Sequence, residues 1–285
     1  MLGVFAKVIL GHAVKTRLQS VHSRQEAERF YLASLADSLE TALRVVPAPV
    51  LFLHHADPAA VEDLRLRLRQ IGFDPAAWDM LQLRFQLEGD LGARLEHAFA
   101  AMSGNGPAPR PSLIVGTDSP SLQPHHLEEG LEWLGSNAPS TTRRVEERSS
   151  DPRTSSSDQG RDAVAAIRPR ARGSADLVLG PAADGGFWAI GMRQPQQGLL
   201  DGVSWSTERA LADTVARARA RGLRVELLPT WTDVDRPEDL RTLSAQIVAL
   251  RRSGDRLTAR HSESVLRELC SPLHPGGEPR ADGRD

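Results

Sequence analysis

Ser112-Leu113-Ile114-Val115-Gly116-Thr117-Asp118-Ser119-Pro120 reads as a short apolar strand that delivers a carboxylate to its carboxyl end. Three consecutive large aliphatic residues without alternation are what a strand buried on both faces requires, and such strands belong to parallel sheets covered by helices. Pro120 fixes the turn behind the strand. Asp118 then has two readings. It caps the following turn, as Asp commonly does, or it holds a hard cation such as Mg²⁺ or Mn²⁺ that bridges to phosphate oxygens.

Working outward, the same strand–loop–helix grammar repeats. Residues 2–6 form a short apolar strand, followed by a loop at 7–17 that contains Gly11. Residues 26–44 carry helical periodicity through Phe30, Leu32, Leu35, Leu39 and Leu43, and Pro47 and Pro49 end it. A strand is expected at 50–54, a helix at 61–70 stopping at Gly72, a weak strand at 81–86 and a helix at 91–102. Pro124 opens a helix to 134. Residues 135–173 are rich in Ser, Arg, Asp and Pro, and read as a disordered insertion. Strands follow at 176–180 and 187–192. A helix capped by Ser206 runs to Arg221 and stops at Gly222. The last strand, 223–228, precedes a helix reaching Arg252, after which 253–285 reads as a flexible tail. Alternating strands and helices predict one α/β domain over 1–252, with a mostly parallel sheet covered on both faces. In such sheets ligands bind beyond the carboxyl ends of the strands.

Four loops occupy those positions. The first, 5–18, offers Lys7, Lys15, Arg17 and Gly11, an inventory suited to phosphates. It lacks the Gly-Lys-Ser/Thr ending of a P-loop. Lys7 and Lys15 are the only lysines in the chain, where 35 residues are Lys or Arg. An ammonium is a compact point charge, so two lysines in one loop of an arginine-biased chain point to phosphate. The second loop is Gly116-Thr117-Asp118. The third, Pro181-Ala182-Ala183-Asp184-Gly185-Gly186, is a hairpin turn by composition; its glycines would also let a ligand approach the backbone. The fourth is Trp231-Thr232-Asp233-Val234-Asp235-Arg236-Pro237-Glu238. Its spacing makes Asp235 a helix N-cap with Glu238 at the third helical position, and leaves Asp233 to bind metal. One basic loop and three acidic ones at strand ends fit a metal–diphosphate site.

Composition limits the alternatives. Net charge is −2, which gives no electrostatic reason to expect nucleic acid or an anionic membrane. No apolar run has the length of a membrane span, and the apolar start of the chain is too short for a signal peptide; the expected compartment is the cytoplasm. The single cysteine, Cys270, rules out an intrachain disulfide and a thiolate metal cluster. The adjacent pairs His54-His55 and His125-His126 lack the spacing of a zinc site and read as surface or loop residues.

Taken in order, Phe-Ala-Lys…Gly…Lys-Thr-Arg-Leu, Gly-Thr-Asp-Ser-Pro-Ser-Leu, Leu-Gly-Pro-Ala-Ala-Asp-Gly-Gly-Phe, Trp-Ser-Thr and Asp-Val-Asp-Arg-Pro-Glu-Asp-Leu resemble the bacterial glycosyltransferase-like family of radical-SAM/selenodomain-associated transferases. That family belongs to the nucleotide-diphospho-sugar transferase superfamily, and the resemblance spans roughly residues 1–250 outside the insertion. It implies a glycosyltransferase A-type, Rossmann-like fold. It also implies metal on Asp118 with Asp233 or Asp235, and nucleotide phosphates on Lys7, Lys15 and Arg17. Asp184, Gly185 and Gly186 would line the acceptor side. In this reading Asp118, Asp184 and Lys15 are catalytic, while Gly116, Gly185 and Gly186 lie along the bound nucleotide. The first loop departs from the family in carrying Val8, Ile9 and Leu10 where prolines are usual. The expected activity is Mg²⁺- or Mn²⁺-dependent glycosyl transfer from a nucleotide sugar to a small acceptor. Nucleotidyl transfer from an NTP to a phosphorylated small molecule is the alternative, and a non-catalytic nucleotide-binding scaffold a third. Homo-oligomerisation is left open.

Overall fold

The computed structural model describes residues 1–54, 57–104, 110–135 and 172–269; the segment expected to be a disordered insertion lies almost wholly outside them. Among the described residues seven strands form one sheet: β1 (Leu2–Lys7), β2 (Val50–His54), β3 (Gln82–Phe85), β4 (Ser112–Val115), β5 (Leu177–Pro181), β6 (Phe187–Met192) and β7 (Val225–Leu227). Their order across the sheet is β3-β2-β1-β4-β6-β5-β7. β1 pairs in parallel with β2 and β4, and β2 with β3. β6 runs antiparallel to both β4 and β5, and β5 is parallel to β7. Six strands therefore share one direction, and β6 alone opposes them.

Among the described residues eight α-helices pack around the sheet and on one another: α1 (Arg24–Val45), α2 (Pro58–Gln70), α3 (Pro75–Asp79), α4 (Leu91–Ser103), α5 (Pro124–Trp133), α6 (Ala210–Ala220), α7 (Pro237–Arg252) and α8 (Arg260–Leu269). Their starts follow from sequence. Ser23 and Glu26 form a reciprocal capping box on α1; Asp57, Asp74 and Asp90 accept backbone N–H bonds at the starts of α2, α3 and α4. Each cap satisfies donors that the first helical turn leaves without partners. Two apolar clusters line the sheet. One packs Leu35 and Leu39 of α1 and Leu127 of α5 against Leu2, Val4, Leu51 and Leu113. The other packs Phe99 and Met102 of α4 against Phe52, Ile114 and Ile190. A third cluster joins α1, α7 and α8 through Phe30, Leu243, Val265 and Leu266.

Three expectations are corrected. The helix after Gly202 starts at Ala210, with Arg209 at its N-cap; Ser206 adopts φ +60° and lies in the preceding turn. Pro237 heads α7 with Arg236 at the N-cap. It is Asp239, not Glu238, whose carboxylate reaches back, accepting from the backbone N–H of Arg236 at 2.7 Å and of Asp235 at 3.0 Å. The capping geometry is thus shifted by one residue and the Asp235 carboxylate is left out of it. The segment after 253 does not simply trail off. Residues 260–269 form α8, which buries Val265 and Leu266 against α1 and α7. Its periodicity is short, and its docking depends on side chains remote in sequence.

Candidate functional site

All parallel strands end on one edge of the sheet, and that edge gathers the predicted loops. β4 ends at Val115, and Gly116 N–H bonds the Trp188 carbonyl at 3.1 Å, which fixes the exit of the chain. The backbone of Asp118 then pairs with the loop before α7: Val234 N–H donates to the Asp118 carbonyl at 2.8 Å. Ser34 on α1 holds the Thr117 carbonyl through its hydroxyl. Asp118 and the Asp233–Asp235 segment are thereby brought face to face by main-chain bonds, which leaves their side chains free for other work.

Lys15 reaches into the gap. Its ammonium pairs with Asp118 Oδ1, donates to the Val234 carbonyl at 2.5 Å and meets Asp235 Oδ1 at 3.2 Å. The lysine side chain is 3% exposed, while those of Asp118 and Asp235 are 46% and 38% exposed. Burial works against the ammonium, but Asp118 and Asp235 outweigh it and raise its pKa. Arg17 stands outside with Nη1 at 3.8 Å from Asp235 Oδ2. Lys7 is exposed at the end of β1; its backbone N–H and carbonyl both bond the Tyr31 hydroxyl, at 2.7 and 2.9 Å. Of the two lysines singled out by composition, Lys15 is the one at the carboxylates.

Asp233 is half-buried. Ser119 Oγ donates to its Oδ1 at 2.5 Å. Burial pushes its pKa up to about 7, opposed by the Ser119 bond and reinforced by the charges of Asp118, Asp184 and Asp235. The upward push from three neighbouring carboxylates records an excess of negative charge.

The third loop closes the same edge. Gly185 N–H bonds the Ala182 carbonyl and Ala182 N–H the Gly186 carbonyl, while Gly186 N–H donates to Asp184 Oδ1 at 2.9 Å. It is a true hairpin turn, and one Asp184 oxygen is used to shape it. Gly185 has φ +86°, and a Cβ there would lie 2.2 Å from the Glu208 carbonyl oxygen. The close neighbour that requires a glycine at this position is the chain's own backbone. A Cβ on Gly116 would meet nothing within 4 Å, so that face of the residue is open.

The histidines divide differently from expectation. His55 lies outside the described residues. His126, expected on the surface, is buried against Trp231 with ring centroids 4.4 Å apart, and burial lowers its pKa to about 4. Sequence reading missed a cluster beneath α8, where Asp37, Glu40 and His261 place ligand atoms within 4.8 Å of one another. Its polar atoms already have partners. Asp37 accepts from the backbone N–H of His261 and Ser262. Glu40 pairs with His261 Nε2 and with Arg260, and His261 Nδ1 faces the Ile71 carbonyl at 3.3 Å. With acceptors at both ring nitrogens, the imidazolium suits this place, and the cluster docks α8 on α1.

Six strands running one way and one opposed, covered by helices, form a fold of the nucleotide-diphospho-sugar transferase, glycosyltransferase A kind. The chain resembles a protein of Desulfovibrio desulfuricans assigned as a nucleotide-diphospho-sugar transferase, at 23% identity and TM-score 0.66, covering 94% of this chain and 96% of that one. The inositol-1-phosphate CTP transferase of T. maritima is similar at 15% identity and TM-score 0.46, over 94% of this chain and 96% of that one. The chain belongs to a family of uncharacterised proteins conserved in bacteria (DUF2064), whose model matches residues 38–141 and 150–207. Asp118, Asp184, Gly185 and Gly186 fall inside those matched residues; Lys15, Asp233 and Asp235 fall outside. No curated protein matches in sequence. Among the described residues no helix is long and apolar enough to cross a membrane.

Proposed function

We propose that this protein is a divalent-metal-dependent transferase that acts on a nucleotide-activated donor, with glycosyl transfer to a small acceptor as the leading reaction. One observation carries the reading. Asp118, Asp235 and Lys15, separated by up to 220 residues, meet at a single point beyond the carboxyl ends of β1 and β4. Ligands of open α/β sheets bind at that position.

The donor set fits a hard cation. Asp118, Asp233 and Asp235 supply carboxylate oxygens and Val234 a carbonyl, the ligand types that Mg²⁺ and Mn²⁺ take. When bound, such an ion supplies charge neutralisation to a diphosphate. Lys15 and Arg17 would add positive charge at the donor phosphates and stabilise negative charge gathering on departing phosphate oxygens. Ser119 orients Asp233, and the Val234–Asp118 backbone bond holds both loops in register. Asp184 keeps one carboxylate oxygen outside the turn hydrogen bond and is suited to take a proton from an acceptor hydroxyl. Positioning and electrostatics provide most of the catalysis, so a covalent nucleophile is not needed.

The test is a thermal-shift panel of UDP-, GDP-, ADP- and dTDP-sugars beside GTP, CTP and UTP, each with and without Mn²⁺. A ligand that binds only the native state raises the melting temperature. A Mn²⁺-dependent shift with a nucleotide sugar, followed by its turnover, supports glycosyl transfer. A shift with an NTP alone moves the assignment to nucleotidyl transfer. No shift with any of them removes the enzymatic reading and leaves a nucleotide-fold scaffold.

A further inference from the structure

Lys15 occupies the place of a cation. An ammonium has three N–H donors, and here they meet Asp118 Oδ1, Asp235 Oδ1 and the Val234 carbonyl oxygen. Two carboxylates and a carbonyl are hard oxygen donors of the kind Mg²⁺ selects. The lysine also adopts φ +46° and ψ +44°, a left-handed conformation that costs a side-chain-bearing residue energy and persists only where contacts enforce it. Its neighbours Val14 and Leu18 are 3% and 1% exposed, and Leu18 N–H bonds the Lys15 carbonyl at 3.0 Å. The backbone is pinned on both sides of residue 15, so the mobile part is the side chain.

One positive charge does not balance the site. Asp118 and Asp235 share the Lys15 ammonium, and Arg17 stands 3.8 Å from the second oxygen of Asp235 at 60% exposure. Asp233 lies alongside. A divalent ion on the same oxygens would satisfy more of this charge, and it would repel an ammonium held at hydrogen-bond distance from them. Ion and ammonium therefore compete for one position.

We propose that Lys15 is an exchangeable internal cation: it holds the acidic loops together until a divalent ion displaces it, and the released ammonium then becomes a ligand for the donor phosphates. The inference rests on the reading of Asp118 and Asp235 as metal ligands. It makes binding ordered, with the metal first and the nucleotide second, because the phosphate ligand is sequestered until the metal arrives. Lys15 thereby acts as a positioning residue before it acts as a binding one.

The chain offers a clean probe, since Lys7 and Lys15 are its only lysines and Lys7 is exposed. The full-length protein is labelled with an amine-acetylating reagent, with and without saturating Mg²⁺, and both lysines are quantified by mass spectrometry. Exchange predicts slow labelling of Lys15 in chelator, a several-fold acceleration with Mg²⁺ and an unchanged rate at Lys7. Calorimetric titration of Mn²⁺ into wild type and Lys15→Met accompanies it. The variant is expected to bind Mn²⁺ more tightly by about 5- to 150-fold, the usual range for coupling between two ligands of one protein. If Mn²⁺ binds but Lys15 stays protected and Lys15→Met gains no affinity, exchange is overturned while the metal site stands. If neither protein binds Mn²⁺, the metal reading itself fails, and the exchange falls with it.

Discussion

Ser119 and Asp233, 114 residues apart, are joined by a 2.5 Å hydrogen bond from the serine hydroxyl to the half-buried carboxylate. This contact ties the loop after β4 to the loop before α7, parallel to the Val234–Asp118 backbone bond. It is also the bond that opposes the upward push of burial on Asp233. Ser119→Ala leaves that carboxylate without its donor and should destabilise the protein by about 1–3 kcal/mol. Urea melts in chelator measure it. In an Asp233→Asn background the same serine substitution should cost less, and equal costs in the two backgrounds would show that the pair is not coupled.

Asp118→Asn should keep the fold and lose the metal. The backbone carbonyl that anchors Val234 is untouched, and Lys15 retains Asp235 and the Val234 carbonyl. Mn²⁺ affinity should fall by more than the roughly 10–100-fold that loss of an outer-sphere partner costs. Circular dichroism checks the fold and calorimetry the affinity. Retained Mn²⁺ binding would move the metal away from β4.

Much of this arrangement was legible in the sequence, and the reasons are local. The aliphatic run before Gly116 marked β4 because buried parallel strands do not alternate, and Asp-Gly-Gly marked the β5–β6 turn because its geometry needs φ > 0. The acidic and basic loops could be assigned to one edge because parallel strands put all their exits on one side. What failed depended on contacts across the chain. The pairing of Lys15 with Asp118 and Asp235, rather than a shared role with Lys7, follows from the parallel pairing of β1 with β4, which sets the loops after them side by side. The choice of Asp239 over Glu238 as the reaching carboxylate turns on a one-residue shift of the α7 start. α8 stayed hidden because ten residues of periodicity are weak evidence, and because Asp37 and Glu40 sit more than 220 residues from the backbone and side chain they hold.

The two glycines at the site make a contrast that stability alone can read. A methyl group at Gly185 would meet the Glu208 carbonyl oxygen at 2.2 Å and its Cα at 2.6 Å, on a backbone with φ +86°. Gly185→Ala should cost about 1–3 kcal/mol from strain alone, with the displacement of Glu208 added. Gly116→Ala meets nothing within 4 Å and should leave the melting temperature unchanged. If Gly116→Ala instead weakens nucleotide binding in the thermal-shift panel at unchanged stability, the open face beside Gly116 is where the ligand lies.

The α8 dock should carry a pH signature with a definite sign. Burial works against the His261 imidazolium, but the Glu40 hydrogen bond and the charges of Asp37 and Glu40 raise its pKa above the ordinary 6.5. Its contribution is therefore complete below pH 6.5 and is lost as pH rises through the raised folded value. Asp37 acts in the same direction: burial lifts its carboxyl to about 6 against the backbone bonds of α8, so deprotonation at higher pH works against the fold. Glu40 acts in the opposite sense. Burial raises it, but bonds from His261 and Arg260 prevail and hold it at about 2, below the ordinary 4.5. Its contribution is present above pH 4.5 and is lost as pH falls through about 2. The contributions of His261 and Glu40 overlap between pH 4.5 and 6.5. His261→Gln should thus destabilise by about 1.5–3 kcal/mol within that window, the scale of a charge-assisted bond. The gap to wild type should narrow as pH is raised into the alkaline range. Urea melts of both proteins at pH 5.5 and pH 9 decide it: a gap of constant size would mean that His261 contributes shape rather than charge, and that the charged network beneath α8 is incidental to its docking.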